Sequence, residues 1–145
     1  MALIDVQSFA HGDWIAPASS ARIVASAIDG SEFARSGHDA LNYQDMIDYA
    51  KSKGGSALRA MTFHDRARLI KALALHLREH RDHLYQLSYQ TGATLSDSKI
   101  DIDGGIGTLL VFASKGRREM TDEKIYLDGD VEALSRNGTF LGQHV

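Results

Sequence analysis

The sequence predicts an α+β fold, with a small β meander at the N-terminus, about four helices in the middle and extended strands at the C-terminus. Short runs rich in β-branched and aromatic residues occur near both ends of the chain, between turn-forming residues. Between these runs, apolar residues recur every three to four positions, which is the period of an α-helix. The 145 residues are enough for one ordinary domain, and they contain no low-complexity linker or internal repeat.

The meander is predicted from three short segments. "HGDWIA" (11–16) and "ARIVASAI" (21–28) have strand composition and are joined by the small-residue loop "PASS" (17–20). "IDGSEFARSG" (28–37) reads as a turn followed by a third strand. Consecutive short strands usually pair with their sequence neighbours, so the three should form one small sheet.

The first helix is expected to begin near Asp39 and to stop at Gly54 and Gly55. The second begins near Thr62, which with Asp65 resembles a capping box. Helical spacing then continues to Thr91, and this length favours two helices that meet near Arg81. The apolar residues that define these helices are Tyr43, Met46, Ile47 and Ala50, then Phe63, Ala67, Ile70, Leu73, Leu77, Leu84 and Leu87.

Two glycine positions mark the ends of the later helices. Gly92 is a plausible stop after Thr91, and Gly116 is expected to end the next helix, which runs from Ser96 or Asp103 to Ser114. Tyr85 and Tyr89, at helical spacing, are assigned to core or interface packing. Two strands follow, "KIYLDGDVEAL" (124–134) and "GTFLGQHV" (138–145), with "DGD" and Asn-Gly read as turns.

Composition excludes several classes of function. The net charge of −3 gives no strong field for nucleic acid or an anionic membrane. The absence of cysteine removes disulfides, thiolate metal sites and cysteine nucleophiles. The N-terminus lacks the pattern of a signal peptide, and no apolar run has membrane-spanning length, so a cytoplasmic location is expected.

The glycine cluster "DGGIG" (103–107) could be a phosphate loop, but the surrounding residues argue against it. A dinucleotide fingerprint needs a glycine where Leu110 stands and a buried strand before the cluster. Asp101 and Asp103 would also repel a phosphate. Glycines inside a helix cost about 1 kcal/mol each relative to alanine. Two explanations for that cost remain open: close backbone packing, or space for a channel beside the helix.

Three histidines in "HLREHRDH" (76–83) fall at i, i+4 and i+7, namely His76, His80 and His83. Histidines at i and i+4 on one helix can bind zinc. Leu77 stands where a zinc protease has its glutamate, and Arg78 and Arg81 add positive charge. A solvated helix face is the favoured interpretation, so no metal ligand is assigned.

In their order along the chain, several of these segments resemble the N-terminal part of the aldehyde dehydrogenase superfamily. Within it they are most similar to the dehydrogenase domain of the bifunctional phenylacetate-degradation proteins of the PaaZ type, and next to the related dehydrogenase of the benzoyl-CoA pathway. Ala93 departs from the lysine that usually follows the "TG" pair. The matching segments are "HGDW" (11–14), "IDGSEF" (28–33), "DRARLIKALALHL" (65–77), "QTGAT" (90–94), "IDIDGGIGTL" (100–109) and "LSRNGTFLGQHV" (134–145).

The resemblance implies an NADP- or NAD-dependent oxidation of a semialdehyde carried on a CoA thioester. Residues 1–145 would be a single N-terminal fragment, comprising the helical part of the cofactor-binding domain and the first oligomerisation strands, without the catalytic domain. The family's cysteine nucleophile and its glutamate would lie beyond these residues, so no catalytic or cofactor-binding residue is assigned here. The fragment alone is expected to bind no cofactor and to have no activity.

The resemblance also implies a role for the glycines. In the family the matching helix forms part of the wall of the substrate tunnel, so Gly104, Gly107 and Thr108 are predicted to line a substrate channel. Gly105 is expected to pack inward. Helix-to-helix closeness alone remains the alternative explanation.

The predicted partners are the remainder of the dehydrogenase and further copies of the chain, which would pair through the C-terminal strands. Nucleic acid and membrane are not expected as partners. Two other hypotheses stand beside this one: a free-standing helical interaction or metal-binding module, and an oligomerising structural fragment without a ligand.

Overall fold

A computed structural model describes residues 3–144, in which five short strands precede six α-helices and a final β-hairpin. The predicted α+β composition is confirmed in outline. The first five strands are β1 (Ile4–Asp5), β2 (Ser8–Ala10), β3 (Asp13–Ile15), β4 (Arg22–Ala25) and β5 (Glu32–Ser36).

These strands do not form the predicted meander. β3 pairs antiparallel with β2, while β5 lies between β4 and β1 and is parallel to β1. The loop between β2 and β3 explains the difference. His11 and Gly12 both have positive φ, 57° and 92°, which is the backbone of a two-residue hairpin turn. β3 is therefore paired with the strand before it and not with β4.

The first helical segment runs straight through the glycines that were expected to stop it. Helix α1 (Tyr43–Tyr49) begins after Asn42, whose side chain accepts hydrogen bonds from two backbone N–H groups of the first turn. A π-helical segment, π1 (Ala50–Gly54), and helix α2 (Gly55–Ala60) then follow directly. Gly55 has φ −62°, an ordinary helical value. The predicted stop at Gly54 and Gly55 is wrong, because neither glycine takes the left-handed conformation that commonly ends a helix.

The predicted capping box and the predicted break are both confirmed. Helix α3 (Phe63–Glu79) begins after Thr62, which exchanges hydrogen bonds of 3.0 and 3.1 Å with Asp65. The Arg68 guanidinium and the Thr62 N–H donate to the Asp65 carboxylate and lower its pKa. Helix α4 (Arg81–Tyr89) starts two residues after α3 ends. Gly92, with φ 84°, provides the predicted left-handed stop.

The glycine-rich helix is longer than predicted. It begins as α5 (Leu95–Ser98) after a capping box between Thr94 and Asp97, continues as a second π-helical segment, π2 (Lys99–Asp103), and then as α6 (Gly104–Glu119). Gly116 lies inside α6, so the predicted end there is wrong. A Cβ on Gly116 would come within 3.1 Å of the Ala67 Cβ, so this glycine allows close approach to α3.

The C-terminal strands form an antiparallel hairpin, as predicted. Strand β6 (Tyr126–Ser135) pairs with β7 (Gly138–His144), and Val145 lies outside the described residues. The "DGD" stretch is a bulge within β6 and not a turn. The register shifts between Asp128 and Glu132, and Gly129 there has φ 81°.

The chain divides into two compact units, residues 1–55 with 80–104, and residues 56–79 with 105–145. The first unit contains β1–β5, α4, α5 and π2, and the second contains α3, almost all of α6 and the hairpin. Buried apolar positions are mainly small: Ala10 and Ala34 in the first unit, and Ala67, Ala74, Ile106 and Ala113 in the second. No large side chain among residues 3–144 is fully buried. None of the described helices has the length and apolarity needed to cross a membrane.

Candidate functional site

The glycine cluster lies on open helix surface. A Cβ placed on Gly104, Gly105 or Gly107 would meet no atom of the described residues within 4 Å, beyond the helix's own backbone. Gly105 and Thr108 are exposed and Gly107 is half-buried. The expectation that Gly105 packs inward is wrong. Within residues 3–144, no neighbouring element requires the absence of a side chain at these positions.

Exposed apolar side chains follow the glycines along the same helix, α6. Val111 and Phe112 are 54% and 62% exposed, and they follow the glycines by one to two turns of α6. Contiguous exposed apolar surface is typical of interaction sites and ligand-binding grooves. The small residues in the first turn of α6 therefore leave space at one end of an apolar helix face.

The conformation of the glycines excludes a phosphate loop. Gly104 has helical φ and ψ, −63° and −46°, and its N–H donates to the carbonyl oxygens of Asp101 and Ile100. A phosphate-binding loop needs backbone N–H groups that are not used within a helix. Because this N–H group is engaged inside the helix, the cluster does not fit the pyrophosphate of a dinucleotide.

A tyrosine–aspartate contact lies at the start of the glycine-bearing helix. The Tyr85 hydroxyl donates to Asp103 and lies 2.7 and 2.8 Å from its two carboxylate oxygens. This hydrogen bond raises the pKa of Tyr85, because the phenol loses its acceptor partner when it ionises beside a carboxylate. Sequence reasoning assigned Tyr85 to packing and missed the contact, since eighteen residues separate the partners and no local pattern connects them.

A second contact ties the same two segments together. The Ser98 hydroxyl donates to the Ser88 hydroxyl oxygen at 2.9 Å, and Ser98 is buried. Ser98 immediately precedes π2, and Asp103 is its last residue. Both ends of π2 are therefore hydrogen-bonded to α4. Tyr85 and Ser88 are three residues apart, so they lie on one face of α4.

The three histidines do not form the predicted alternative, a metal site. His80 has φ −100° and ψ 6° and separates α3 from α4, which breaks the single helix that the spacing assumed. No group of three or more His, Cys, Asp or Glu side chains among residues 3–144 is placed to hold a metal ion. The metal-binding hypothesis for His76, His80 and His83 therefore gains no support.

Comparison with known proteins establishes the protein family to which the chain belongs. The sequence model of the aldehyde dehydrogenase family matches residues 14–139, most of the chain. The chain therefore belongs to the aldehyde dehydrogenase family, and the resemblance seen in the sequence is confirmed. Enzymes of this family are oxidoreductases that generally use NAD or NADP.

A curated relative gives a more specific similarity. The chain is 29% identical over 138 residues to a 3,4-dehydroadipyl-CoA semialdehyde dehydrogenase from Aromatoleum evansii. The matched region covers 94% of this chain and 27% of that relative. The chain thus spans about a quarter of the length of the relative that it matches.

Proposed function

We propose that this chain is the N-terminal portion of an NAD(P)-dependent aldehyde dehydrogenase that oxidises a CoA-linked semialdehyde during the degradation of aromatic compounds such as phenylacetate. The observation that carries the proposal is the similarity to the Aromatoleum evansii semialdehyde dehydrogenase along almost the whole chain. The name of that relative supplies the substrate class. The proposed reaction converts an aldehyde, water and NAD(P)⁺ into a carboxylate, NAD(P)H and two protons.

The chemistry of the chain supports a role as part of a larger enzyme. The family's covalent mechanism needs a cysteine thiolate, and the 145 residues contain none. The described glycines do not fit a dinucleotide pyrophosphate. We therefore derive no catalytic step from these residues and expect the fragment alone to be inactive, with nucleophile and cofactor site supplied by the remainder of the dehydrogenase.

The channel assignment of Gly104, Gly107 and Thr108 is part of this proposal. It is supported by the open space at both glycines and by the uncovered apolar surface that continues along α6. A wide or long acyl-CoA substrate needs such space, whereas a short aldehyde does not. Within the described residues, close packing gives no competing reason for the glycines.

The hairpin supports the proposed partner surface. Leu127, Val131, Leu134 and Phe140 on its strands are each more than half exposed. The two outer strand edges are also unpaired within the described residues. We propose that β6 and β7 contact a second copy of the enzyme, and that the enzyme acts in the cytoplasm without a membrane or nucleic-acid partner.

The substrate proposal is tested by comparing two substrates in the full-length enzyme. Gly104→Met should raise KM for the CoA-linked semialdehyde more than KM for a short aliphatic aldehyde, because only the larger substrate needs the space. Gly54→Met is the matched control, because Gly54 lies in π1, where an added Cβ also meets open space. Equal effects of Gly104→Met on both substrates would contradict the channel, and an enzyme that forms no NAD(P)H from the CoA-linked semialdehyde would contradict the function.

A further inference from the structure

The π2 segment stands out because it is held at both ends. It contains Lys99–Asp103 and lies directly before Gly104, the first residue of the proposed channel. π-helical turns are rare, and they occur frequently at functional sites. Here the segment is flanked by the Ser98–Ser88 and Asp103–Tyr85 hydrogen bonds, both to α4.

The conformation of π2 decides where Gly104 faces. A π-turn holds about one more residue than an α-turn. If π2 relaxed to an α-helix, the residues after it would rotate by about one residue's step, roughly 100°. A rotation of that size would carry the open side of Gly104 away from the surface it now occupies.

The Tyr85–Asp103 contact adjoins Gly104. Asp103 immediately precedes Gly104, and its two carboxylate oxygens lie within 2.8 Å of the Tyr85 hydroxyl. A hydrogen bond to an ionised acceptor is stronger than one between neutral groups. Ser88 and Ser98, by comparison, form a neutral hydrogen bond at the far end of π2.

We propose that Tyr85 is a positioning residue for the acyl-CoA channel: through Asp103 it holds the π2 turn and thereby fixes the open side of Gly104. This proposal rests on the proposed function of the enzyme. Tyr85 does not need to touch the substrate for this role. The proposal deepens the channel assignment by naming a side chain that helps to keep Gly104 in place.

The first test measures amide hydrogen exchange in the full-length polypeptide. Tyr85→Phe should speed exchange in residues 99–104 about tenfold, the change expected when one hydrogen bond to a charged group is lost. Tyr89→Phe, one turn further along α4, is the matched control and should leave exchange in 99–104 unchanged. Unchanged exchange in Tyr85→Phe, or an equal change in both variants, would overturn the proposal.

The second test separates positioning from a merely structural role. In Tyr85→Phe the ratio of KM for the CoA-linked semialdehyde to KM for a short aldehyde should rise roughly three- to tenfold, with kcat nearly constant. The single variant Asp103→Leu and the double variant that combines Tyr85→Phe with Asp103→Leu should show the same KM ratio as Tyr85→Phe. Each of the three variants removes the same Tyr85–Asp103 contact. A lower kcat with an unchanged ratio would overturn the proposal.

Failure of the proposed function and failure of the positioning role of Tyr85 give different experimental results. A wild-type enzyme that does not oxidise the CoA-linked semialdehyde would overturn the proposed function and, with it, the channel role of Tyr85. The exchange measurement would still show whether the hydroxyl holds π2. A wild-type enzyme that oxidises the substrate, with a Tyr85→Phe variant that behaves like Tyr89→Phe, would overturn the positioning role alone.

Discussion

Helix α3, almost all of α6 and the β6–β7 hairpin belong to the same unit, but among its described residues only those of the helices are buried. Ala67, Ala74 and Ala113 are nearly inaccessible, whereas Leu134 on β6 is 70% exposed. The small residues on the helices allow the backbones to approach, and Gly116 faces Ala67. The hairpin, with apolar side chains on an uncovered surface, has the properties of an element that is completed by a partner.

The helical pair should be the more sensitive of the two regions to added volume. Gly116→Leu places a side chain where a Cβ would already lie 3.1 Å from Ala67, so we expect a loss of about 1–3 kcal/mol from overpacking. Native-state hydrogen exchange of α3 and α6 amides in the full-length polypeptide measures the loss. Gly105→Leu, in open space on the same helix, is the control and should not reduce protection. Equal losses in both variants would contradict close packing at Gly116.

The start of α3 should be the next most sensitive point. Thr62 closes the capping box, and its hydroxyl also donates to Asp122 at 2.6 Å. Thr62→Ala should therefore cost about 1 kcal/mol of local stability, measured by exchange of the first-turn amides of α3. Thr139→Ala, in β7, is a control in the hairpin and should leave those amides unchanged. Undiminished protection in Thr62→Ala would contradict the cap.

The same cap predicts a pH dependence. The folded state lowers the pKa of Asp65 below its usual value of 3.8 through hydrogen bonds from Arg68 and Thr62. The ionised carboxylate therefore stabilises the start of α3 above pH 3.8, and this contribution is lost as the pH falls through the folded pKa. The difference in exchange protection between wild type and Asp65→Asn should shrink as the solution is acidified. A difference that grows on acidification would contradict the assigned direction.

Substitutions in the hairpin should change the stability of the helices least and the oligomeric state of the enzyme most. Val131 is 59% exposed, so Val131→Lys should change the stability of α3 and α6 by less than about 0.5 kcal/mol. It should lower the molar mass of the full-length enzyme in light scattering, because a buried lysine would disrupt the proposed contact between copies. Glu132→Lys, at the next position of β6, is the control because it changes the charge without replacing an apolar side chain. A mass unchanged in Val131→Lys would contradict the proposed contact.

Local signals explain which parts of the fold the sequence predicted. The Thr62–Asp65 box, the break near Arg81 and the left-handed Gly92 each depend on a few neighbouring residues. Glycine alone was a poor guide, because Gly54, Gly55 and Gly116 all adopt or permit ordinary helical geometry in place of the predicted stops. The pairing of β1 with β5 was also missed, since β1 contains only two residues and its partner is thirty positions away.

The candidate site was only partly predictable, because some of its contacts join segments that are distant in the sequence. The glycine spacing showed that one helix has unusually few side chains at its start, and the family resemblance suggested a substrate channel as the reason. The hydrogen bond from Tyr85 to Asp103 depends on how α4 and π2 come together, which no local pattern encodes. The histidine spacing suggested a continuous metal-binding face, and the break at His80 removed the assumption behind it.

The most direct test of the account identifies the product. The full-length enzyme should convert 3,4-dehydroadipyl-CoA semialdehyde into the corresponding CoA-linked acid, seen by mass spectrometry, with one NADPH or NADH formed per acid. The 145-residue chain alone should form neither product. Failure of the full-length enzyme to form both the acid and the reduced cofactor would contradict the assignment, as would turnover by the isolated chain.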